Sequence, residues 1–202
     1  MTVLALVVAL TGGWAALMLG VSGPGSESMR TVLAAVAGLV SLAAIATLLL
    51  ARWRWPAIGL WLLVLTAALA WWFAMKPSND RDWLPNVART PWATVDGDIV
   101  TIHNIRNFSY RTETDFTPAW YDKTYDLSQL EGIDIVASYW MGPDIAHVFV
   151  SFAFAGGDHL AMSIETRTEK GEGYSTIKGF FRQYELYYVV ADERDVIGLR
   201  TN

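Results

Sequence analysis

The stretch IAHVFVSFAF (145–154), followed after AGGD by HLAMSIETR (159–167), predicts a β-hairpin. Side chains in both segments alternate with the period of two that is typical of strands. The apolar sets share a face only if the connecting loop has an odd number of residues, which we centre on Gly157. These sets are Val148, Val150, Phe152 and Phe154 on the first strand, and Leu160, Met162, Ile164 and Thr166 on the second.

The other face of this hairpin is the more polar one. In the predicted register Phe149 lies opposite Glu165, and His147 lies opposite Arg167. Diagonal neighbours on one face are about 7–8 Å apart at the backbone, so Glu165 can reach the His147 ring. The side chains on this face are His147, Phe149, Ser151, Ser163, Glu165 and Arg167.

The pair of His147 and Glu165 has two interpretations. A carboxylate on the adjacent strand holds a histidine in one tautomer and stabilises its protonated form, as a base for a thiol or hydroxyl nucleophile requires. Alternatively, the face is solvated or covered by a loop, and Glu165 pairs with Arg167 or Lys170. The spacing alone favours this second, structural interpretation.

Charge divides the chain into two parts. Of its 202 residues, 53% are hydrophobic, and residues 1–75 contain few charged side chains. The remaining residues hold 12 of the 15 basic and 19 of the 20 acidic groups, a net charge of −7. An acidic domain does not match nucleic acid, whose phosphates require a basic surface. Cysteine is absent, which excludes disulfides, thiolate metal sites and a cysteine nucleophile from these residues.

Residues 1–75 predict three transmembrane helices, at about 2–23, 31–51 and 55–75. Each apolar segment reaches the length of about 20 residues that spans a bilayer. A single N-terminal segment is typical of a secretory signal, but this one lacks a basic start and two more follow it. The alternative, a buried helical hairpin in a soluble protein, is disfavoured because nothing polar interrupts the three segments.

Flanking residues predict the orientation of the helices. Arg52 and Arg54 in the second loop favour the cytoplasmic side, which places the amino terminus inside and residues 76–202 in the periplasm. Tryptophans fit aromatic belts at both ends of the third span, and they are Trp53, Trp55, Trp71 and Trp72. These features predict a periplasmic or extracytoplasmic domain on a three-helix anchor.

Residues 76–202 predict a mainly antiparallel β domain, so the fold class is α+β. Besides the hairpin, we expect strands at 98–108, 133–140, 182–190 and 195–201, with turns at MGPD and ADER. Residues 115–130 are rich in turn formers and predict a loop.

Five segments of the β domain carry a pattern typical of one family. The segments are RDWLPNVARTP (81–91), VTIHNIRNFSY (100–110), DIAHVFVSFAF (144–154), SIETRTEKGEGYS (163–175) and YELYYVVADERDVIGLRTN (184–202). They resemble the Lnb N-terminal periplasmic domain family. The resemblance covers nearly all of residues 80–202 and does not extend to the helices.

The resemblance implies a lipoprotein N-acyltransferase-like enzyme that uses a thiol, on a fold similar to permuted papain-like (NlpC/P60-type) enzymes. It assigns His147 as the base and Glu165 as its orienting partner. The family's cysteine is expected beyond residue 202, so we expect this polypeptide to be a fragment that is inactive by itself; the alternative is a natural short form without a nucleophile. The resemblance also implies a location in the bacterial inner membrane, where the helices suit membrane lipids and lipoproteins as partners.

Several further residues complete the expectations. Arg106 is a candidate for binding a phosphate or carboxylate, with a structural ion pair as the alternative, and Tyr174 for bordering the substrate groove. We expect no cofactor and no metal, since His103 and His159 lack ligand spacing. Ser151 and Ser163 lie on flat strands, which do not suit a nucleophile. The rival functions are a non-catalytic envelope-binding module and a hydrolytic amidase- or peptidase-like relative.

Overall fold

The computed structural model describes residues 2–50, 54–112, 114–139 and 142–201, with side chains up to residue 198. Arg52 and Trp53, which contribute to the predicted orientation, lie outside these ranges, as do Trp140 and Met141 of the predicted strand end and turn. The chain divides into two units. The anchor unit comprises Met1–Ser78 and Tyr174–Tyr184, and the β unit comprises Asn79–Gly173 and Glu185–Asn202.

Three long helices make up most of the anchor unit: α1 (Thr2–Ser22), α2 (Glu27–Leu50) and α3 (Trp55–Ala74). All three are long and apolar enough to cross a membrane, in agreement with the predicted three-helix anchor. Helix α2 begins before the predicted residue 31, because Glu27 occupies its first turn, where a carboxylate is favourable. Small residues allow close packing, and at Gly12 an added Cβ would lie 2.1 Å from Ser41 Oγ.

The β unit contains a seven-stranded sheet in the order β1-β2-β9-β8-β7-β6, with β5 also paired to β2. All pairings are antiparallel except one bridge between β2 and β9, so the mainly antiparallel α+β prediction is confirmed. The strands are β1 (Trp92–Asp96), β2 (Ile99–Arg106), β3 (Ser109–Tyr110), β4 (Phe116–Thr117), β5 (Trp120–Asp126), β6 (Leu130–Tyr139), β7 (Ala146–Phe154), β8 (Asp158–Arg167) and β9 (Glu185–Asp192). Helices α4 (Thr176–Phe180), in the anchor unit, and α5 (Glu193–Thr201) precede and follow β9.

Two parts of the strand prediction are wrong. The predicted loop at 115–130 contains β5. This strand pairs with β2 between Ile99 and Arg106, although the segment has many turn formers. The segment 195–201 is helix α5 rather than a strand. Its start is fixed because Asp192 accepts a hydrogen bond from the Arg194 backbone N–H, as an N-cap does.

The β7–β8 hairpin has the predicted parity but a different centre. Val150 pairs with Met162 and Phe154 with Asp158, so the three-residue loop is centred on Gly156, not on Gly157. Gly156 has a φ of 89°, a value that favours glycine. This backbone conformation allows the tight turn. A shift of two residues keeps every side chain on its predicted face. Continuing the observed register places His147 level with Glu165 rather than diagonal to it.

The two sheet faces differ in burial in an unexpected direction. The face that carries His147 is covered: Phe149, Ser163 and Arg167 are all buried. Phe149 belongs to a core cluster with Val196 of α5, so α5 packs on this face. On the apolar face, Phe154 and Leu160 near the loop are buried, whereas Val148 and Ile164 farther from it are each 55% exposed. Of the two forms of the structural interpretation, a solvated face is therefore wrong over most of its length, and the cover includes helix α5.

Candidate functional site

Three side chains on β7 and β8 form a continuous hydrogen-bonded chain. His147 Nε2 lies 2.7 Å from Ser163 Oγ, and Ser163 donates to Glu165 Oε1 at 2.8 Å. His147 Nε2 is also 3.2 Å from Glu165 Oε1. His147 and Glu165 therefore meet on one face of the hairpin, and Ser163 joins them.

The hydrogen bond from Ser163 to Glu165 favours one tautomer of the neutral histidine. A serine hydroxyl has one proton, and Ser163 donates it to the Glu165 carboxylate. The contact between His147 Nε2 and Ser163 Oγ is then made by a proton on Nε2. In the neutral tautomer that satisfies this arrangement, the ring's lone pair is on Nδ1. Ser163 cannot at the same time offer its proton to His147, so it orients the pair and is not arranged as a nucleophile.

The hydrogen-bonded chain of His147, Ser163 and Glu165 lies at the edge of a buried surface. The side chains of His147 and Glu165 are 23% and 22% exposed, whereas Ser163 is buried. Partial exposure leaves access for a reacting group, and partial burial strengthens the hydrogen bonds by excluding water. Tyr187 of β9 pairs with Glu165, and burial raises the pKa of its phenol well above the usual range. Tyr187 is therefore neutral beside the Glu165 carboxylate.

Both cations proposed as structural partners of Glu165 bond to other groups in the described part of the chain. Arg167 is buried and donates to the carbonyl oxygens of Val87 and Ala88, at 2.9 Å each, and lies 4.2 Å from the Trp83 ring. Burial lowers the pKa of the Arg167 guanidinium. Lys170 binds Asp82 at 2.6 Å.

Arg106, the candidate for binding an anion, is buried in an ion pair. Its Nε and Nη2 donate to Asp195 Oδ1 at 2.9 and 2.7 Å, and Nη1 donates to the Asn86 carbonyl at 3.2 Å. Burial alone lowers the pKa of Arg106, but the Asp195 carboxylate more than offsets this, and the net pKa is raised. The geometry is that of the structural alternative, and substrate binding by Arg106 stays a prediction.

The sequence did not predict the partner of Arg106. Asp195 is fully buried and also accepts a hydrogen bond from the Phe108 backbone N–H. The prediction of a strand at 195–201 gave no reason for Asp195 to face β2, and so it did not indicate the ion pair with Arg106. A carboxylate in the first turn of a helix, just after the ADER segment, was the available signal.

The remaining sequence candidates lie elsewhere. Tyr174 belongs to the anchor unit, and its role in substrate binding stays a prediction. Ser151 is fully buried, and its hydroxyl makes no hydrogen bond among the described residues. His103 stacks on Trp92 and binds Asp122 at 2.7 Å, which lowers the Asp122 pKa. Within the described ranges, no group of three potential metal ligands comes together.

An apolar groove is found on the other side of the sheet. It has a volume of about 200 Å³, and all of its lining is apolar. Phe152 and Met162, which line it, point away from the histidine face because they differ from His147 and Ser163 by an odd number of residues. The groove is therefore separate from the hydrogen-bonded chain.

Comparison with known proteins finds a family match for the C-terminal part of the described sequence. Residues 116–202 match the family described as the Lnb N-terminal periplasmic domain, a range that contains His147, Ser163 and Glu165. The resembling segments at 81–91 and 100–110 lie before the matched range. No curated protein and no solved structure matches the chain. Residues 116–202 of this chain are therefore similar to the Lnb N-terminal periplasmic domain family.

Proposed function

We propose that this chain is the membrane-anchored, periplasmic part of an acyltransferase that acylates the amino terminus of lipoproteins, with His147 as its base. The observation that carries the proposal is the hydrogen-bonded chain of His147, Ser163 and Glu165. It holds an imidazole in one orientation at a partly exposed position, as general acid–base catalysis requires. The family match and the three apolar helices support a membrane-anchored periplasmic domain.

The proposed reaction has two half-reactions. His147 accepts the proton of a thiol, the thiolate attacks the ester carbonyl of a membrane lipid, and the leaving alcohol receives the proton from His147. The lipoprotein amine then attacks the resulting thioester, forming an amide, while His147 takes a proton from the amine and returns it to the thiol. The 202 residues contain no cysteine, so this thiol is supplied by polypeptide outside them.

A non-catalytic envelope-binding module is the second candidate. The exposed apolar sheet face favours it, since Ile135 is 75% exposed and Leu186 is 71% exposed. Apolar surface of this kind marks interaction sites. In this alternative, the hydrogen bonds among His147, Ser163 and Glu165 only hold β7 against β8.

Replacement of His147 distinguishes these functions. The full-length protein, expressed in cells that lack their own copy, would be assayed by mass spectrometry for N-acylation of a lipoprotein. We expect His147→Ala to reduce the acylation rate by about 10²–10⁴-fold, the usual contribution of a general base. His103→Ala is the matched control, because His103 also contacts a carboxylate but lies on β2, and this variant should stay active.

Unchanged acylation in His147→Ala would remove the histidine from the mechanism. If lipoproteins still bind this variant but the unaltered protein never acylates them, the binding-module function would replace the enzymatic one. Membrane insertion of each variant should be checked by fractionation, since an unfolded variant would also lose acylation.

A further inference from the structure

The segment Tyr174–Tyr184 lies in sequence between β8 and β9 but belongs to the anchor unit. Phe181 is 5% exposed and is part of the buried cluster that contains Met18 of α1, Ala37 of α2 and Ala68 of α3. Phe181 lies more than 100 positions after the last membrane helix in sequence. It thus belongs to a buried cluster to which all three helices contribute. This segment, which we call the return segment, is an integral part of the anchor.

Arg182 ties the return segment to the end of α3. Its Nη1 donates to the Trp72 carbonyl at 2.9 Å, and its guanidinium lies 4.6 Å from the centre of the Trp72 ring. The Trp72 carbonyl is one of the last four of α3 and has no partner within the helix, so Arg182 caps the helix. Arg182 adopts a φ of 60°, uncommon outside glycine, in the turn that ends α4.

The neighbours of the return segment place it at the level of the membrane interface. Trp71 and Trp72 are the tryptophans that end α3, and Trp71 Nε1 donates to the Ser22 carbonyl at the end of α1 at 2.8 Å. Tryptophans at the ends of membrane helices lie among the lipid headgroups. A segment bonded to the Trp72 carbonyl therefore lies at this depth.

Two large apolar side chains of the return segment point away from the helices that it packs against. Ile177 is 64% exposed and Phe180 is 70% exposed. They are three residues apart on α4, so they share one face of this short helix. Lys178 lies between them in sequence and is exposed on a different side. Apolar side chains on one side and a cation on another are typical of a helix lying in a membrane interface.

We propose that the return segment is a membrane-interface element, in which Ile177 and Phe180 insert into the bilayer that holds α1–α3. The partner is lipid because the same segment is packed on membrane helices and bonded at their aromatic belt. Arg182 is placed near the headgroup phosphates, where a cation is favourable. This proposal is independent of the chemistry proposed for His147.

Site-directed fluorescence in lipid nanodiscs tests the proposal. The 202 residues contain no cysteine, so a cysteine introduced at one position can be labelled there with an environment-sensitive dye. Ile177→Cys and Phe180→Cys are the test variants, Lys178→Cys is the matched control on the same helix, and Leu10→Cys on α1 is the lipid-facing control. Nanodiscs of phosphatidylcholine and phosphatidylglycerol expose both bilayer surfaces to iodide, a water-soluble quencher, and can carry spin-labelled lipid as a lipid-side quencher.

We expect labels at positions 177 and 180 to emit at shorter wavelength than the label at 178. Spin-labelled lipid should quench them strongly and iodide weakly, in the direction of the Leu10 control. The proposal is wrong if iodide quenches the labels at 177 and 180 as strongly as the label at 178. It is also wrong if they are shielded from iodide but not quenched by spin-labelled lipid, since protein would then cover them.

Discussion

Nε2 of His147 and Oε1 of Glu165 lie 3.2 Å apart on neighbouring strands, and the hydroxyl of Ser163 bridges them. Because the serine proton goes to the carboxylate, the imidazole contributes the Nε2 proton and keeps its basic lone pair on Nδ1. Ser163 is thereby a positioning residue for the proposed base. The hydrogen-bonded chain requires all three side chains, because removing any one of them leaves a hydrogen-bonding group of another without its partner.

Ser163→Ala should impair catalysis without impairing binding. The substitution removes a hydrogen bond to a charged group, which contributes about 1.5–3 kcal/mol and corresponds to a loss of roughly 10- to 100-fold in kcat. KM should stay unchanged, because Ser163 is not expected to touch substrate. Steady-state N-acylation kinetics of the full-length protein would measure both constants. Ser163→Thr keeps the hydroxyl and should restore most of the rate, and equal losses in both variants would contradict the positioning role.

The burial of the histidine face predicts a contrast between two adjacent residues. Phe149 is 3% exposed on this face, and Val148 is 55% exposed on the other. We expect Phe149→Ala to lower the free energy of unfolding by about 3–5 kcal/mol. Val148→Ala should change it by no more than about 0.5 kcal/mol. Denaturant titration of the full chain in detergent micelles, followed by the β-sheet band of the circular dichroism spectrum, would measure both. Similar losses would mean that both faces are covered.

The ion pair of Arg106 and Asp195 predicts strong coupling between β2 and α5. Asp195→Ala leaves the Arg106 charge buried without its carboxylate, and such a loss costs about 3–5 kcal/mol. Adding Arg106→Met removes that charge, so the double variant should be more stable than Asp195→Ala. The same denaturant titration gives the four values of a double-mutant cycle. Additive effects would show that the two side chains do not interact in the folded protein.

Buried tyrosines predict a loss of stability at alkaline pH. Burial raises the pKa of Tyr125 and of Tyr187 above the ordinary value of about 10. Below that value both the folded and the unfolded states are protonated. Above it, the unfolded chain releases these protons while the folded chain retains them, so stability falls as pH rises. Ultraviolet titration of tyrosinate should show late ionisation of these groups, which Tyr187→Phe should reduce. Ionisation of all tyrosines near pH 10 in the folded protein would contradict it.

The sequence by itself determined the membrane helices and the shared face of the hairpin. Uncharged segments of about 20 residues have few stable arrangements outside a bilayer, so α1–α3 follow from composition alone. The period of two in 145–154 and 159–167 fixes which side chains share a face, and so brings His147, Ser163 and Glu165 together whichever odd loop is used. This parity survived the shift of the turn centre from Gly157 to Gly156.

Tertiary structure decided which face is covered and where the ends of the chain pack. The sequence shows two alternating sets but not which one α5 contacts, because that depends on residues distant along the chain. Asp195 is a helix residue here because its carboxylate is satisfied by Arg106, a contact across 89 positions that no local pattern contains. In the same way, Phe181 and Arg182 follow a strand of the β unit in sequence yet pack on the anchor helices. Local propensity specifies elements, whereas burial and pairing between distant residues specify how they are used.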